Sequence, residues 1–289
     1  VFITITNNSG IVVGQLACLI HEKMEVTDTN PLSKKIGNLL GLGTSLWWYH
    51  GPIIHDKDKS DEILEIILSS VDKIAQDNNV INIRGISSPL TDQLPTKTFE
   101  EFGYNAELRL TFIVDLNQTT DDLYNSLKKD PRYYIRKSEN QGFDFEIAND
   151  MEGLEKFQDL KIAAKKDGGK KYVRNPKFYK KHWEIMQNNG YEEWLLARHN
   201  GKIRGTILTL FFNGNVIQHA LANSPEKELV GTFLTWNTIK WAQKMKYSTF
   251  DFAGVDPFPK TEKEKGIYFY AAKFGGKKIL NFSEAIKDM

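Results

Sequence analysis

Cysteine is nearly missing from this sequence, which contains a single one, Cys18, among 289 residues. A lone cysteine excludes a disulfide within the chain and a metal site built from cysteine pairs. Cys18 stands in the apolar stretch Ile11–Ile20, where a buried structural thiol is far more common than a reactive one. The six histidines show no HExxH or related spacing, so we expect no metal site.

A long hydrophobic run and an excess of charge are also lacking. No segment approaches the ~18 apolar residues that a membrane span needs. The net charge of +1 gives no global field for nucleic acid or membrane, so any such surface must be local. The length suits two domains of about 100–150 residues each. We expect a cytoplasmic protein, and the strand-like pattern already under way at Val1 leaves a removed signal peptide or anchor open.

The second half of the chain alternates regularly between strands and helices. Asn175-Pro176 combines an N-cap residue with proline at the first helical position and predicts a helix. Asn200-Gly201 and Asn213-Gly214 separate three strand-like runs and predict two hairpins. From residue 143 onward the order is β-α-α-β-β-β-α-β-α-β. This is the element order of the acyl-CoA N-acyltransferase (GNAT) fold.

The first half shows a shorter version of the same order. Thr119 predicts the N-cap of a connecting helix, with Asp122 in its first turn. We therefore predict an α/β (α+β) fold with two tandem GNAT-like domains, each a central mixed sheet flanked by helices, and a cleft between the halves. The first domain covers residues 1–117, connecting helices cover 118–142, and the second domain covers 143–289.

Four phrases, spread in order over nearly the whole chain, resemble those of a known family. They are Trp48-Tyr-His-Gly-Pro-Ile, Arg132-Tyr-Tyr-Ile-Arg-Lys-Ser-Glu-Asn-Gln-Gly, Phe250-Asp-Phe-Ala-Gly-Val-Asp-Pro and the segment Gly266–Gly275. The sequence resembles the Fem family of aminoacyl transferases, which add amino acids from aminoacyl-tRNA to peptidoglycan precursors.

This resemblance implies an aminoacyltransferase without a cofactor. The amine of a nucleotide- or lipid-linked peptide acceptor would attack the ester of an aminoacyl-tRNA, with peripheral membrane contact as a further expectation. The last phrase places the family's catalytic lysine at Ala271 and its preceding aromatic at Tyr270. Lys273 lies about 200° further round a helix, so it does not simply replace that lysine. The catalytic candidates are Asp251, Tyr270 and Lys273.

Three side chains near these phrases each allow two interpretations. Asp251 either orients the attacking amine or caps the Ala253-Gly254 turn. His219, at a position where the family has a tyrosine, is either a core histidine or a substrate contact. Trp48 either belongs to the core or lines the cleft.

A basic cluster, defined as residues Lys161–Lys181, is the most informative local feature. It holds nine lysines and arginines against one acid, Asp167. An anionic partner would relieve their mutual repulsion, and an interleaved tyrosine could stack on a base or sugar. The alternative is a pair of solvated helix faces. The resemblance places near Lys166 an arginine that holds a phosphate of the acceptor.

Arg132 and Arg136 either hold a diphosphate or cover the hinge. The substrate-binding candidates are Trp48, Arg132, Arg136, Lys165, Lys166, Lys170, Tyr172 and His219.

The segment Ser224–Thr232 bears on the acyl donor. CoA-using GNAT enzymes hold pyrophosphate on backbone N–H groups of a glycine-rich loop at a helix N-terminus. Here there is one glycine, Gly231, and two carboxylates, Glu226 and Glu228, which would repel pyrophosphate. An ester donor such as aminoacyl-tRNA needs no such cradle and is more compatible. Two alternatives stay open: an acyltransferase using CoA or carrier-protein thioesters, and a catalytically inactive binding protein.

Overall fold

The structure, a computed structural model, describes residues 1–22, 44–89, 96–166, 176–224 and 227–289. The chain divides into two compact units. Unit 1 contains Val1–Leu110 and Ile279–Met289, and unit 2 contains Thr111–Lys278. The C-terminal segment therefore belongs to unit 1 rather than to the second domain of the expected tandem order. The reason is strand pairing, because Glu284–Asp288 pairs antiparallel with Asn82–Ile86.

Unit 1 contains two groups of strands. The strands are β1 (Phe2–Thr6), β2 (Val12–Ala17), β3 (Leu19–Glu22), β4 (Thr44–Tyr49), β5 (Ile53–Ile54) and β6 (Asn82–Ile86), with parts of β7 (Asn105–Asp115) and β13 (Lys277–Asp288), which both also enter unit 2. β1, β2 and β5 form a small antiparallel sheet. The order β3-β4-β6-β13 is mixed, because β4 runs parallel to β6 whereas the other pairs are antiparallel.

One long helix covers the small sheet of unit 1. This helix is α1 (Ser60–Asp77), which follows a 3-10 turn at Lys57–Lys59; α2 (Thr96–Glu101) is shorter. α1 buries Ile63, Ile67 and Val71 among other apolar residues at spacings of three and four, which is the pattern of a helix with one buried face. This face packs on β1, β2 and β5.

Unit 2 holds the remaining elements. The strands are the end of β7, β8 (Asp144–Ile147), β9 (Glu192–His199), β10 (Lys202–Phe212), β11 (Asn215–Asn223) and β12 (Thr249–Asp251); the helices are α3 (Thr120–Ser126), α4 (Lys129–Asn140), α5 (Glu152–Lys166), α6 (Pro176–Met186), α7 (Lys227–Lys244) and α8 (Glu262–Ala272). The strand order is β7-β12-β11-β10-β9-β8. β11 and β12 are parallel and the other pairs are antiparallel. From β8 onward the element order is the predicted one, and the predicted mixed sheet flanked by helices is confirmed.

Two apolar layers cover the two faces of the sheet in unit 2. Alternation along β9 places Trp194 and Leu196 in one buried cluster, with Phe157 of α5. Leu195 lies in the other cluster, with Phe233 of α7. This period of two is what a strand buried on both faces requires, and it fixes α5 and α7 on opposite sides of the sheet.

Local signals in the sequence account for several boundaries. Both hairpin turns have two residues with positive φ: Asn200 and Gly201 at 51° and 70°, and Asn213 and Gly214 at 47° and 79°. Asn-Gly tolerates this geometry, so the predicted hairpins are confirmed. The Thr119 hydroxyl accepts a hydrogen bond from the Asp122 backbone N–H at 3.1 Å, which confirms the predicted N-cap of α3.

Among the described residues, no helix is both long and apolar enough to cross a membrane. The same part of the chain has no group of three or more His, Cys, Asp or Glu side chains that could hold a metal ion.

Candidate active site

The two parallel strands of unit 2 separate from each other part of the way along. Their pairing joins Asn215 to Thr249, Val216 to Phe250 and Ile217 to Asp251. β12 ends there, whereas β11 continues to Asn223. We call the region of residues 218–223 on β11 and Asp251 on β12 the β11–β12 fork. The carboxyl ends of diverging parallel strands are a common place for ligands in open α/β sheets, so the fork is the candidate site.

A β-bulge changes the direction of β11 inside the fork. Leu208 of β10 pairs with Ala220, but Thr209 pairs with Gln218. His219 is therefore the extra residue of the bulge, and a bulged strand bends away from its partner. The His219 side chain is exposed. The interpretation of His219 as a core histidine is thus wrong, and its role as a substrate contact stays a prediction.

The Tyr270 side chain links α8 to α7 at this fork. Its hydroxyl donates to the backbone carbonyl of Gly231 at 2.8 Å, and it lies 2.7 Å from the hydroxyl of Thr235. The Thr235 hydroxyl in turn lies 3.4 Å from Oε1 of Gln218, on β11. One hydrogen-bonded group thus joins β11, α7 and α8, with a phenol at its centre.

Lys273 belongs to the same cluster. Its Nζ lies 4.6 Å from the centre of the Tyr270 ring, within the range of a cation–π contact. Lys273 is the C-cap residue of α8, and its side chain reaches Tyr270 despite the angle between the two positions. Ala271, where the resemblance expects a lysine, is 2% exposed. The structure therefore brings Tyr270 and Lys273 together and leaves position 271 in the interior.

Asp251 has its own set of hydrogen bonds. The Thr111 hydroxyl donates to its carboxylate, and so does the backbone N–H of Ala253 at 2.9 Å. Ala253 and Gly254 have φ values of 62° and 82°, a conformation that the buried carboxylate helps to hold. The turn-capping interpretation is thus confirmed. Whether Asp251 also orients an amine stays a prediction.

Two glycines make room for one carboxamide at the end of the fork. A Cβ added at Gly205 would lie 2.9 Å from Oδ1 of Asn223, and one added at Gly231 would lie 2.7 Å from its Nδ2. Gly231 is the fifth residue of α7 rather than part of a loop before the helix. The lack of a side chain at Gly231 thus allows Asn223 to pack closely against α7.

The other predicted contact residues lie elsewhere. Trp48 is in unit 1, 1% exposed, and a Cβ at Gly85 would come within 1.9 Å of its ring. Its assignment as a substrate contact is therefore corrected, because a side chain so enclosed belongs to the core. Arg132 is half-buried and Arg136 is exposed on α4, which packs against α7. Four further predicted contacts lie outside the described residues, namely the side chains of Lys165 and Lys166 and all of Lys170 and Tyr172.

The sequence also matches a family model. The model of the acetyltransferase (GNAT) domain matches residues 125–264. The matched residues include the fork and Thr235, whereas Tyr270 of α8 and its C-cap residue Lys273 lie beyond them. At the level of class, the predicted acyltransferase is confirmed. No curated protein matches the sequence.

Solved structures extend the similarity beyond residues 125–264. FemX shares the fold over all of this chain and 87% of its own, at a TM-score of 0.73 and 16% identity. A tandem GNAT protein from the clavulanic acid biosynthesis pathway aligns over 98% of this chain and 81% of its own chain, at a TM-score of 0.59 and 13% identity. The third structure is the C-terminal domain of a protein from Agrobacterium fabrum that is assigned as a lysylphosphatidylglycerol synthetase. It aligns over 100% of this chain and 84% of its own chain, at a TM-score of 0.57 and 13% identity. The predicted fold and the resemblance to Fem-type proteins are thereby confirmed.

Sequence reasoning missed four polar residues of the candidate site. Thr111, Gln218, Asn223 and Thr235 are placed by strand register and helix packing. At Thr111 and Thr235 the sequence signal is a polar residue between two large apolar neighbours, for example Thr235 between Leu234 and Trp236. Such a residue, when it is buried, usually needs a hydrogen-bond partner.

Proposed function

We propose that this protein is an N-acyltransferase that moves an aminoacyl group from aminoacyl-tRNA to an amine of a peptide acceptor of the peptidoglycan-precursor kind. The observation that carries the proposal is the hydrogen-bonded phenol of Tyr270 at the β11–β12 fork, with the ammonium of Lys273 above its ring. The likeness to FemX and to the synthetase from Agrobacterium fabrum supports an aminoacyl rather than a plain acyl group.

The choice of an ester donor follows from the start of α7. Gly231, the one glycine of the segment Ser224–Thr232, lies inside the helix, where Asn223 and Tyr270 occupy the space around its Cα. It is therefore not a loop glycine that frees backbone N–H groups for pyrophosphate. Glu226 and Glu228, whose side chains lie outside the described residues, add negative charge by sequence. These features oppose CoA and suit aminoacyl-tRNA.

The reaction requires one bond to form and one to break. The acceptor amine attacks the carbonyl carbon of the ester, and the C–N bond forms as the carbonyl oxygen becomes an oxyanion. The C–O bond to the ribose then breaks, and a proton from the amine nitrogen ends on the leaving ribose oxygen. Positioning and stabilisation of the oxyanion supply most of the rate enhancement in such a site.

Residues in and beside the fork suit these tasks. The Tyr270 hydroxyl can pass its proton to the leaving oxygen and regain one from the amine, so that atoms and charge balance. The Lys273 ammonium supplies positive charge beside the developing anions. His219, exposed on the bulge of β11, contacts substrate in this proposal. We place the reaction in the cytoplasm, where aminoacyl-tRNA occurs, with peripheral membrane contact when the acceptor is lipid-linked.

A second candidate, transfer from acetyl-CoA, is favoured by the match to the acetyltransferase (GNAT) domain model.

A direct assay distinguishes the two donors. The purified protein is incubated with a lysine-containing pentapeptide or a nucleotide-linked muropeptide, and with either a radiolabelled pool of aminoacyl-tRNA or labelled acetyl-CoA. We expect transfer from aminoacyl-tRNA alone and no acetyl-CoA binding by calorimetry. A micromolar dissociation constant for acetyl-CoA, about −8 kcal/mol, would promote the second candidate. Binding of charged tRNA without transfer would indicate an inactive binding protein.

The basic cluster offers an independent check on the nucleic-acid donor. Each phosphate contact to single-stranded nucleic acid contributes a slope of about −0.7 in log K against log salt. Replacing Lys165, Lys166, Lys170 and Lys171 by glutamine should weaken binding of charged tRNA and flatten that slope in anisotropy titrations. Equal binding by wild type and variant would leave the cluster as a solvated surface.

A further inference from the structure

The Thr235 hydroxyl occupies a defined place beside the phenol of the candidate site. Thr235 is 0% exposed and lies in α7. Its hydroxyl is 2.7 Å from that of Tyr270, and the Tyr270 hydroxyl is 2.8 Å from the Gly231 carbonyl oxygen. Both distances are those of good hydrogen bonds between oxygens.

Counting hydrogens fixes the direction of these bonds. Each hydroxyl has one hydrogen to donate, whereas a carbonyl oxygen has none. The contact with Gly231 can form only if Tyr270 donates its hydrogen there. The contact between the two hydroxyls then requires Thr235 to donate to the phenol oxygen. The contact of Thr235 with Gln218, at 3.4 Å, is the longest of the three and competes least for that hydrogen.

We infer that Thr235 is a positioning residue for Tyr270: its hydroxyl donates to the phenol oxygen and holds that oxygen in place through acyl transfer. The inference rests on the proposed function. During transfer the Tyr270 hydroxyl turns its hydrogen from the Gly231 carbonyl to the leaving ribose oxygen, so its hydrogen bond to Gly231 is lost. The O–H bond of the phenol then breaks, a new O–H bond forms on the ribose, and a phenolate is left. A donor already aimed at that oxygen stabilises the negative charge, and so does the Lys273 ammonium 4.6 Å from the ring centre.

The surroundings make this arrangement specific. A Cβ at position 231 would lie 3.3 Å from the Tyr270 oxygen, so glycine lets the phenol approach the helix backbone. Gly231 and Thr235 are four residues apart and therefore lie on the same face of α7. The phenol oxygen is thus held between a carbonyl and a hydroxyl that share one helix face.

Two substitutions separate the hydroxyl from the shape of the side chain. Thr235→Val removes the donor and keeps the branched shape, whereas Thr235→Ser keeps the donor. We expect Thr235→Val to lower kcat at least about tenfold with little change in KM for aminoacyl-tRNA, and Thr235→Ser to stay within about threefold of wild type. The second readout does not depend on turnover. A 3-fluorotyrosine at position 270 gives one ¹⁹F NMR signal that responds to hydrogen bonds at the phenol oxygen.

The two readouts give distinct outcomes. A ¹⁹F signal that moves in Thr235→Val and returns in Thr235→Ser, with the matching fall and recovery of kcat, supports the inference. An unchanged ¹⁹F signal in a folded Thr235→Val protein overturns it, because the hydrogen bond would then not form. Full kcat in Thr235→Val overturns it as well. Failure of the wild-type protein to transfer an acyl group from any donor would instead reject the proposed function. That outcome is measured on the wild-type protein and is therefore independent of the Thr235 variants.

Discussion

The ammonium nitrogen of Lys273 lies 4.6 Å from the centre of the Tyr270 ring. The two residues are three positions apart, which is about 300° round an ideal helix and leaves them on adjoining sides. α8, however, ends at Ala272, and Lys273 is its C-cap. Because the four-carbon stem of lysine is flexible, its charge reaches the ring of Tyr270.

The first prediction concerns this pair. Lys273→Met keeps the length of the side chain and removes its charge. Since a cation–π contact is worth about 0.5–2 kcal/mol, we expect transfer from aminoacyl-tRNA to fall by roughly 2- to 30-fold. Lys273→Arg serves as the matched control and should retain most of the activity. Wild-type kcat/KM in Lys273→Met would show that the charge plays no part in the reaction.

The second prediction concerns two glycines of unit 2. A Cβ at Gly205 would lie 2.6 Å from Cγ1 of the buried Val230, whereas one at Gly266 in α8 would meet nothing within 4 Å. Gly205→Ala should therefore lower the free energy of unfolding by about 1–3 kcal/mol. Gly266→Ala should raise it by about 0.5–1 kcal/mol, because alanine favours the helix. Urea unfolding measures both. Equal stability of the two variants would contradict the close packing at Gly205.

The third prediction follows from Glu193. Burial raises the pKa of Glu193 above its ordinary value of 4.5, against a hydrogen bond from Gln187, and the neighbouring Glu192 raises it further. The folded state thus binds more protons than the unfolded state between 4.5 and the raised pKa, so stability falls as pH rises through that window. Glu193→Gln should be more stable than wild type above the window and equal to it below pH 4.5. Urea unfolding at about pH 4 and pH 8 measures the difference in the free energy of unfolding between variant and wild type. A difference of the same size at both pH values would contradict a contribution from the raised pKa of Glu193.

The fourth prediction has the opposite sign and serves as a comparison. Hydrogen bonds from the backbone N–H groups of Thr261 and Lys260 lower the pKa of Glu264, in the capping box of α8. Its contribution to stability is present above pH 4.5 and is lost as pH falls through the lowered pKa. Glu264→Ala should therefore destabilise the protein at neutral pH by more than it does in acid. Thermal unfolding across this range tests it, and a loss independent of pH would indicate a different origin.

The fifth prediction concerns the single thiol. Burial raises the pKa of Cys18 to about 11, and the side chain is 1% exposed. At about pH 8 only ~0.1% of such a thiol is ionised, and the thiolate is the reactive form. The native protein should react with a disulfide reagent far more slowly than the same protein in urea. Rapid stoichiometric reaction of the native protein would show that Cys18 is accessible.

Short sequence patterns predicted much of the secondary structure. Asn-Gly pairs predict the turns at residues 200–201 and 213–214 because both positions need a positive φ, and Thr119 predicts its cap because a hydroxyl satisfies a free N–H at a helix start. The return of the C-terminal segment to unit 1 had no such signal. Its pairing with β6 joins residues about two hundred positions apart, and nothing in a short window of sequence specifies a partner at that distance.

The candidate site was predicted only in part. Tyr270, Lys273 and Asp251 came from a resemblance of phrases, and the structure joins the first two in one cluster while Asp251 caps a turn. Trp48 came from the same resemblance and lies in the core. An aromatic residue before Gly-Pro has the same local pattern in either role, and only the space made by Gly85 distinguishes them.

The sequence by itself determined which segments become strands, helices and turns, because side-chain period, caps and turn residues act over a few positions. Only the tertiary structure decided that β12 stops at Asp251 while β11 continues, that His219 is the bulged residue, and that Thr235 meets Tyr270. These relationships depend on register between strands and on the packing of α7 against α8. Both are set by the sum of many contacts between residues remote in sequence, so no single motif encodes them.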